Sequence, residues 1–221
     1  EGDYAQLEFR VAGFLADDEG IKHDVEIGTD VHNYTASVIG CSRQDAKAHT
    51  FKPLYGGVSG TEDQKRYYNA FKEKYNGVTK WHEELQKHAV MKKHIRLPSG
   101  RQYAFPQARV TDWGTATDRT AICNYPVQGF ATADIVPLAC INIQELLEEH
   151  NTKSLLINTV HDSIVADVSP GEESLVASCL NKGCLGKRTA RLFCLLVTNL
   201  EILLSFFNFK INVIGPGENL L

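Results

Sequence analysis

SLLINTVHDSIVADV, residues 154–168, is the stretch on which the fold turns. Two runs rich in Leu, Ile and Val flank the polar triplet His161-Asp162-Ser163, the pattern of a β-hairpin with a carboxylate at its tip. Far upstream, DYAQLEFRVAGFLADD (3–18) begins as a short extended piece and turns helical, with Leu7, Val11, Phe14 and Leu15 on one face. Asp3 opens that piece. Phosphoryl transfer to a sugar hydroxyl needs divalent metals that lower the hydroxyl's pKa and neutralise the transferring phosphate. Mg²⁺ is held by one or two carboxylates plus substrate phosphates, so two carboxylates on adjacent strand ends suffice. Taken alone, an aspartate at a hairpin tip is more often a turn-former than a ligand.

Between these segments the pattern is helical. GTDVHNYTASVIG (28–40) reads as a helix capped near Thr29 or Asp30 and stopped by Gly40. SRQDAKAHTFKPLYGG (42–57) reads as a helix capped by Ser42 and ended by Gly56-Gly57, with Pro53 bending it or ending its regular part. Residues 61–96 read as long, charged and helical, LPSGRQYAFP (97–106) as a hairpin, and 128–149 as a helix that Gln128 opens. No assignment is made beyond about residue 180.

Arg43, Lys47, Phe51 and Tyr55 are spaced by four, so on a continuous helix they form one slowly winding stripe. Its order of two cations and two aromatics suits a nucleotide read from triphosphate through sugar to base. An amphipathic helix with a charged end accounts for the spacing equally well. Gln128, after NYPV, can hydrogen-bond minor-groove acceptors present in every base pair; a solvated glutamine is the simpler account.

Composition bounds the rest. The 221 residues are 43% hydrophobic and 23% charged, as in a globular protein with a real core. The net charge of −4 hides an asymmetry: residues 41–110 hold 14 Lys and Arg against 6 Asp and Glu, and the remainder 9 against 21. A basic middle between acidic ends can hold a polyanion beside metal-binding carboxylates, although an ordinary solvated helical surface also fits. The six cysteines form no C-x-x-C pair and read as reduced thiols. The apolar stretch 192–209 carries Asn199 and Glu201 and reads as a buried helix or strand pair, with no membrane expected.

At these residues the sequence resembles the family A DNA polymerases, the DNA polymerase I family of bacteria and phages. The family's DYSQIELR is here DYAQLEFR (3–10); its R-x3-K-x3-F-x3-YG is Arg43, Lys47, Phe51, Tyr55 and Gly56; its HDE is His161, Asp162 and Ser163. NYPVQG, the DVH at 30–32 and LPSGRQYAFP also follow family segments in order, and the similarity runs over roughly 1–170. The resemblance implies an α+β, right-hand fold: an antiparallel palm sheet (1–10 and 113–221), helical fingers (11–112) and no thumb. It implies that Asp3 and Asp162 hold two Mg²⁺ ions and that Glu8 excludes a 2′-hydroxyl. His32, Arg43 and Lys47 would bind the triphosphate, and Phe51 and Tyr55 would pack on the nucleotide. Gln6, Arg10, Gln128 and His161 would contact primer–template DNA or brace the site. The expected partners are primer–template DNA, deoxynucleoside triphosphates, and the thumb and upstream palm of a longer parent polypeptide. The expected location is the cytoplasm, that of the host for a phage enzyme. A single-subunit RNA polymerase is opposed by Glu8, and an inactive remnant that only binds DNA or a partner is opposed by Asp3, Asp162, Arg43 and Lys47. Three departures stand out: Ser163 replaces the usual Glu, Arg119 to Asn124 is one residue longer than in the bacterial pattern, and the chain starts two residues before DYAQLEFR. The ending KINVIGPGENLL resembles the family's closing strand.

Overall fold

The computed structural model describes residues 1–57, 60–184 and 209–211. In chain order the elements are β1 (Gly2–Tyr4), α1 (Leu7–Leu15), α2 (Glu19–Glu26), α3 (Val31–Ile39), α4 (Arg43–Thr50), a 3₁₀ turn (Pro53–Tyr55), α5 (Glu62–Lys74), α6 (Asn76–Lys92), β2 (His94–Arg96) and β3 (Gln102–Ala104). There follow α7 (Arg119–Gln128), a π-helical segment (Gly129–Ile135), α8 (Val136–Glu149), β4 (Leu155–Val160), β5 (Ser163–Asp167), α9 (Glu173–Cys184) and β6 (Phe209–Ile211). The chain divides into two compact units, residues 8–130 and residues 1–7 with 131–221. The mixed helix and antiparallel sheet are the α+β architecture expected.

The unit containing 131–221 is built on a sheet of order β4-β5-β1-β6, antiparallel in every pair. Helices α8 and α9 pack on each other where Gly183 approaches the α8 backbone: a Cβ there would sit 2.8 Å from the Ile143 nitrogen. Asn142 seals the crossing by donating from Nδ2 to the Gly183 carbonyl at 3.0 Å. Tyr4, Ile143, Leu147, Ile164, Val176 and Leu180 belong to the buried core.

The unit 8–130 is mainly helical. Ser42, Asp30 and Asp18 each cap a helix start with a side-chain oxygen, and Gly40 ends α3 in the left-handed region. Asp18 is buried and also accepts from the Val78 amide at 3.0 Å, so one carboxylate satisfies orphan donors of two helices, α2 and α6. Phe9, Tyr67, Phe71 and Tyr75 interlock through edge-to-face ring contacts. A second cluster joins Leu85, Ala89, Ile95, Phe105 and Ile122.

Three expectations are corrected. Residues 61–96 are not helical throughout: Tyr75 breaks the run, Lys93 turns left-handed at φ 62°, and His94–Arg96 becomes a strand paired with Gln102–Ala104. The expected hairpin therefore has its strands further apart than 97–106. Helix 128–149 starts earlier, and Gln128 does not open it but ends α7 inside a continuous helical run, Arg119–Glu149. That run is the one among the described residues long and apolar enough to cross a membrane, yet Ile122, Val127, Ile135, Ala139 and Ile143 along it are buried inside the protein. Of the cysteines, Cys41, Cys123, Cys140, Cys179 and Cys184 are free thiols, and Cys194 lies outside the described residues. The apolar stretch 192–209 and the closing segment 210–221 also lie outside them, except for the strand residues 209–211.

His82 on α6 is buried, and its Nε2 meets no hydrogen-bonding partner among the described residues. Burial pushes its pKa down to about 4. The folded protein thus binds fewer protons than the unfolded chain between pH 6.5 and 4, and stability falls as pH falls through that window, by about 3 kcal/mol in all. Urea denaturation at pH 7, 5.5 and 4.5 should show His82→Leu with a flatter pH dependence than the native protein. Parallel curves for the two would show that other groups set the acid sensitivity.

Candidate active site

The sheet brings the two aspartates together. Asp3 pairs directly with Ser163 across β1 and β5, and Asp162 immediately precedes Ser163 in the hairpin turn. Neighbouring strands lie about 4.8 Å apart, so the two carboxylate-bearing residues are one step off direct opposition. Asp3 is half-buried between buried Gly2 and Tyr4. Tyr4 points the other way and donates its hydroxyl to the Cys184 carbonyl at 3.3 Å; burial, with the Cys184 contact and Asp162 adding to it, pushes its pKa far upward, so the phenol stays protonated. Pleat alternation thus sets Asp3 on the face opposite Tyr4 and shared with Ser163, while Asp162 stands in the turn outside that alternation.

The turn itself has two residues, since Val160 pairs with Ser163. His161 takes the first loop position with φ 56° and is exposed. A positive φ there is ordinarily glycine's; a histidine accepts some strain to present its ring. Gln6 sits at φ 56° between β1 and α1.

Hard carboxylate oxygens at adjacent strand ends fit Mg²⁺, which completes its shell with water and phosphate oxygens. Among the described residues no third His, Cys, Asp or Glu makes up a larger group. Ser163, where the family pattern has Glu, is buried directly opposite Asp3.

In the unit 8–130, α3 and α4 assemble the second set. Arg43 donates from Nε to Asp30 at 2.8 Å, while Asp30 accepts from the His32 and Asn33 amides; these bonds, against the opposing effect of burial, hold the Asp30 carboxyl below its usual range. His32 places Nδ1 3.0 Å from the Thr50 hydroxyl and its ring edge-on to Phe51, with centroids 5.4 Å apart. Burial lowers its pKa; the Asp30 carboxylate opposes that, and the positive charges of Arg43 and Lys47 add to it. His32, Arg43, Lys47 and Phe51 therefore share one neighbourhood.

The four-residue stripe holds through Phe51, the C-cap of α4. Pro53 then starts the 3₁₀ turn, as expected of a residue with no amide hydrogen, and Tyr55 follows on it. The Tyr55 hydroxyl donates to the Glu8 carboxylate, joining two of the predicted residues across 47 positions. Arg10 is buried, which lowers its pKa, although a guanidinium keeps its charge. Gln128 is exposed at the end of α7. Asp30 and Thr50 were not among the predicted site residues. Asp30 was legible as a helix cap and as part of the DVH segment, but not as the partner of Arg43, because that bond spans 13 positions with no periodic signal.

The family model for DNA polymerase family A matches residues 1–202. This chain belongs to DNA polymerase family A. It is 33% identical over 193 residues to DNA polymerase I of Lactococcus lactis subsp. cremoris (strain MG1363), covering 77% of this chain and 22% of that protein. To DNA polymerase I of Mycobacterium tuberculosis (strain ATCC 25618 / H37Rv) it is 28% identical over 194 residues, covering 79% of this chain and 21% of the relative. The fold is that of the POL domain of Pol1 from M. smegmatis, solved in complex with DNA primer-template and dNTP: the TM-score is 0.72 at 23% identity, over 83% of this chain and 35% of that one. The family A chain thus spans about a fifth of the length of the curated relatives it matches.

Proposed function

We propose that the protein carrying this chain is a DNA-directed DNA polymerase of the cytoplasm, extending a primer 3′-hydroxyl with deoxynucleotides in replication or repair. The observation that carries the reading is the pairing of Asp3 with Ser163, which brings Asp3 and Asp162 to adjacent strand ends. Asp3 and Asp162 would hold two Mg²⁺ ions, whose chemistry there is to lower the pKa of a sugar hydroxyl and neutralise charge on a transferring phosphate. Arg43 and Lys47 supply cationic donors for phosphate oxygens, with His32 beside them in the triphosphate site. Phe51 and Tyr55 offer ring surfaces for sugar and base. Gln6, Arg10, Gln128 and His161 serve the primer–template. In this reading the sheet-bearing unit acts as the palm, the helical unit as the fingers, and the rest of a longer polypeptide as thumb and upstream palm.

Extension of a primed template by the protein, with Mg²⁺ and then with chelator, tests the reading. Nucleotide binding without any extension would favour an inactive remnant, toward which Ser163 is the one pointer. Sugar choice separates the DNA from the RNA enzyme. Glu8, fixed by the Tyr55 hydroxyl, is a rigid obstacle beside the nucleotide's sugar. Glu8→Ala should raise ribonucleotide use relative to deoxynucleotide use by about 10-fold, roughly 1.4 kcal/mol of discrimination. An unchanged ratio of kcat/KM values would place the sugar gate elsewhere.

A further inference from the structure

Trp113 is 91% exposed, the most exposed large apolar side chain among the described residues. The backbone of its loop is braced. The Thr111 amide donates to the Thr115 carbonyl at 2.7 Å, Gly114 N donates to the Thr111 carbonyl at 2.9 Å, and Val110 bridges Ala116. Below the bridge, Arg109 N donates to the Thr117 hydroxyl at 3.1 Å and Thr117 N returns a bond to the Arg109 carbonyl at 2.9 Å. The same loop forms one wall of a groove of about 570 Å³, within the range of ligand sites. The opposite wall is α6, with Lys87, Val90 and Met91, and Arg119 also lines the groove. Met91 and Val110 are 70% and 62% exposed. Neither Lys87 nor Arg119 has a carboxylate at ion-pair distance among the described residues. Glu83 in the groove and Asp112 beside Trp113 are the nearby acids, within a chain whose segment 41–110 carries eight more positive than negative charges.

An exposed indole on a braced loop, whose neighbours Val110 and Gly114 line a groove with apolar side chains and with cations that have no ion pair among the described residues, is the chemistry that recognises unpaired nucleotides: a π-face for a base, a hydrocarbon floor for a sugar, and cations for phosphates. We propose that Trp113 and this groove bind single-stranded DNA, with a base stacked on Trp113 and phosphates on Lys87 and Arg119. The choice of DNA over RNA rests on the polymerase reading, in which an unpaired template strand is the available ligand.

Fluorescence anisotropy of labelled oligo(dT), in chelator and without nucleotide, tests it apart from any extension. Trp113→Ala should weaken binding roughly 10-fold and Trp113→Phe should restore most of it. Lys87→Gln should lower the salt slope by about 0.7. A 5-iododeoxyuridine in the oligonucleotide should photocrosslink to the peptide containing Trp113. Unchanged affinity in Trp113→Ala, with crosslinks elsewhere, overturns the proposal. Loss of self-association in Trp113→Ala, with DNA binding intact, overturns it in favour of a second copy of the chain. Trp113-dependent binding by a protein that never extends a primer would overturn the polymerase reading alone; primer extension with Trp113-independent binding would overturn this proposal alone.

Discussion

Asp162→Asn should reduce single-turnover primer extension in Mg²⁺ by roughly 1,000-fold or more, about 4 kcal/mol, with primer–template affinity nearly unchanged. Asparagine preserves the volume and one acceptor oxygen, so the two-residue turn should survive. What is lost is the negative charge that would hold a divalent ion where charge develops in the transition state. Asp3→Asn should behave alike, because Asp3 pairs with Ser163 in the same strand pair. The expected signature is a fall in kcat with the Kd for DNA intact. Near-normal single-turnover extension by either variant would remove the aspartates from the reaction.

The second large effect concerns the phosphates. Lys47 follows Arg43 by one turn of α4. Arg43 is already bonded to Asp30, so binding a triphosphate exchanges one acceptor for another. Lys47 has no such ion pair among the described residues, so its gain is less offset. A hydrogen bond to a charged group contributes about 1.5–3 kcal/mol, so Lys47→Ala should lower kcat/KM for the nucleotide by roughly 10- to 150-fold. Arg43→Ala should cost less, and Lys47→Arg should recover part of the loss. Steady-state kinetics at saturating primer–template would measure this. An unchanged kcat/KM in Lys47→Ala would place the triphosphate elsewhere.

Much of this was legible from residue order because the signals were local. The 154–168 hairpin, the caps at Asp30 and Ser42, the stop at Gly40 and the break at Pro53 each depend on a few adjacent residues. The rest was not legible because it is settled by pairing at a distance. His94–Arg96 has a helix-compatible composition and becomes a strand only because Gln102–Ala104 lies beside it. Gln128 reads as a helix start, yet α7 carries Pro126 within its turns and the π segment continues the run past Gln128. In the site, the family resemblance pointed to Asp3, Asp162 and the Arg43–Tyr55 row, where residue types and spacings alone left simpler accounts open. The bonds that fix their orientation, Tyr55 to Glu8 and Arg43 to Asp30, span 47 and 13 positions and leave no periodic trace.

The order β4-β5-β1-β6 has a consequence for biosynthesis. Strand β1, near the start of the chain, is flanked by partners that begin at residues 163 and 209. On a ribosome it emerges long before either neighbour exists. At about 5–20 residues per second, some ten seconds or more pass before β5 is made, and longer before β6. Through that interval the strand bearing Asp3 has two unsatisfied edges, while the local contacts of residues 8–130 are free to form. Closing so distant a pairing carries a high loop-entropy cost and slows the final step. The helical unit should therefore mature first, and the carboxylate pair should come into being last, when the sheet closes around β1.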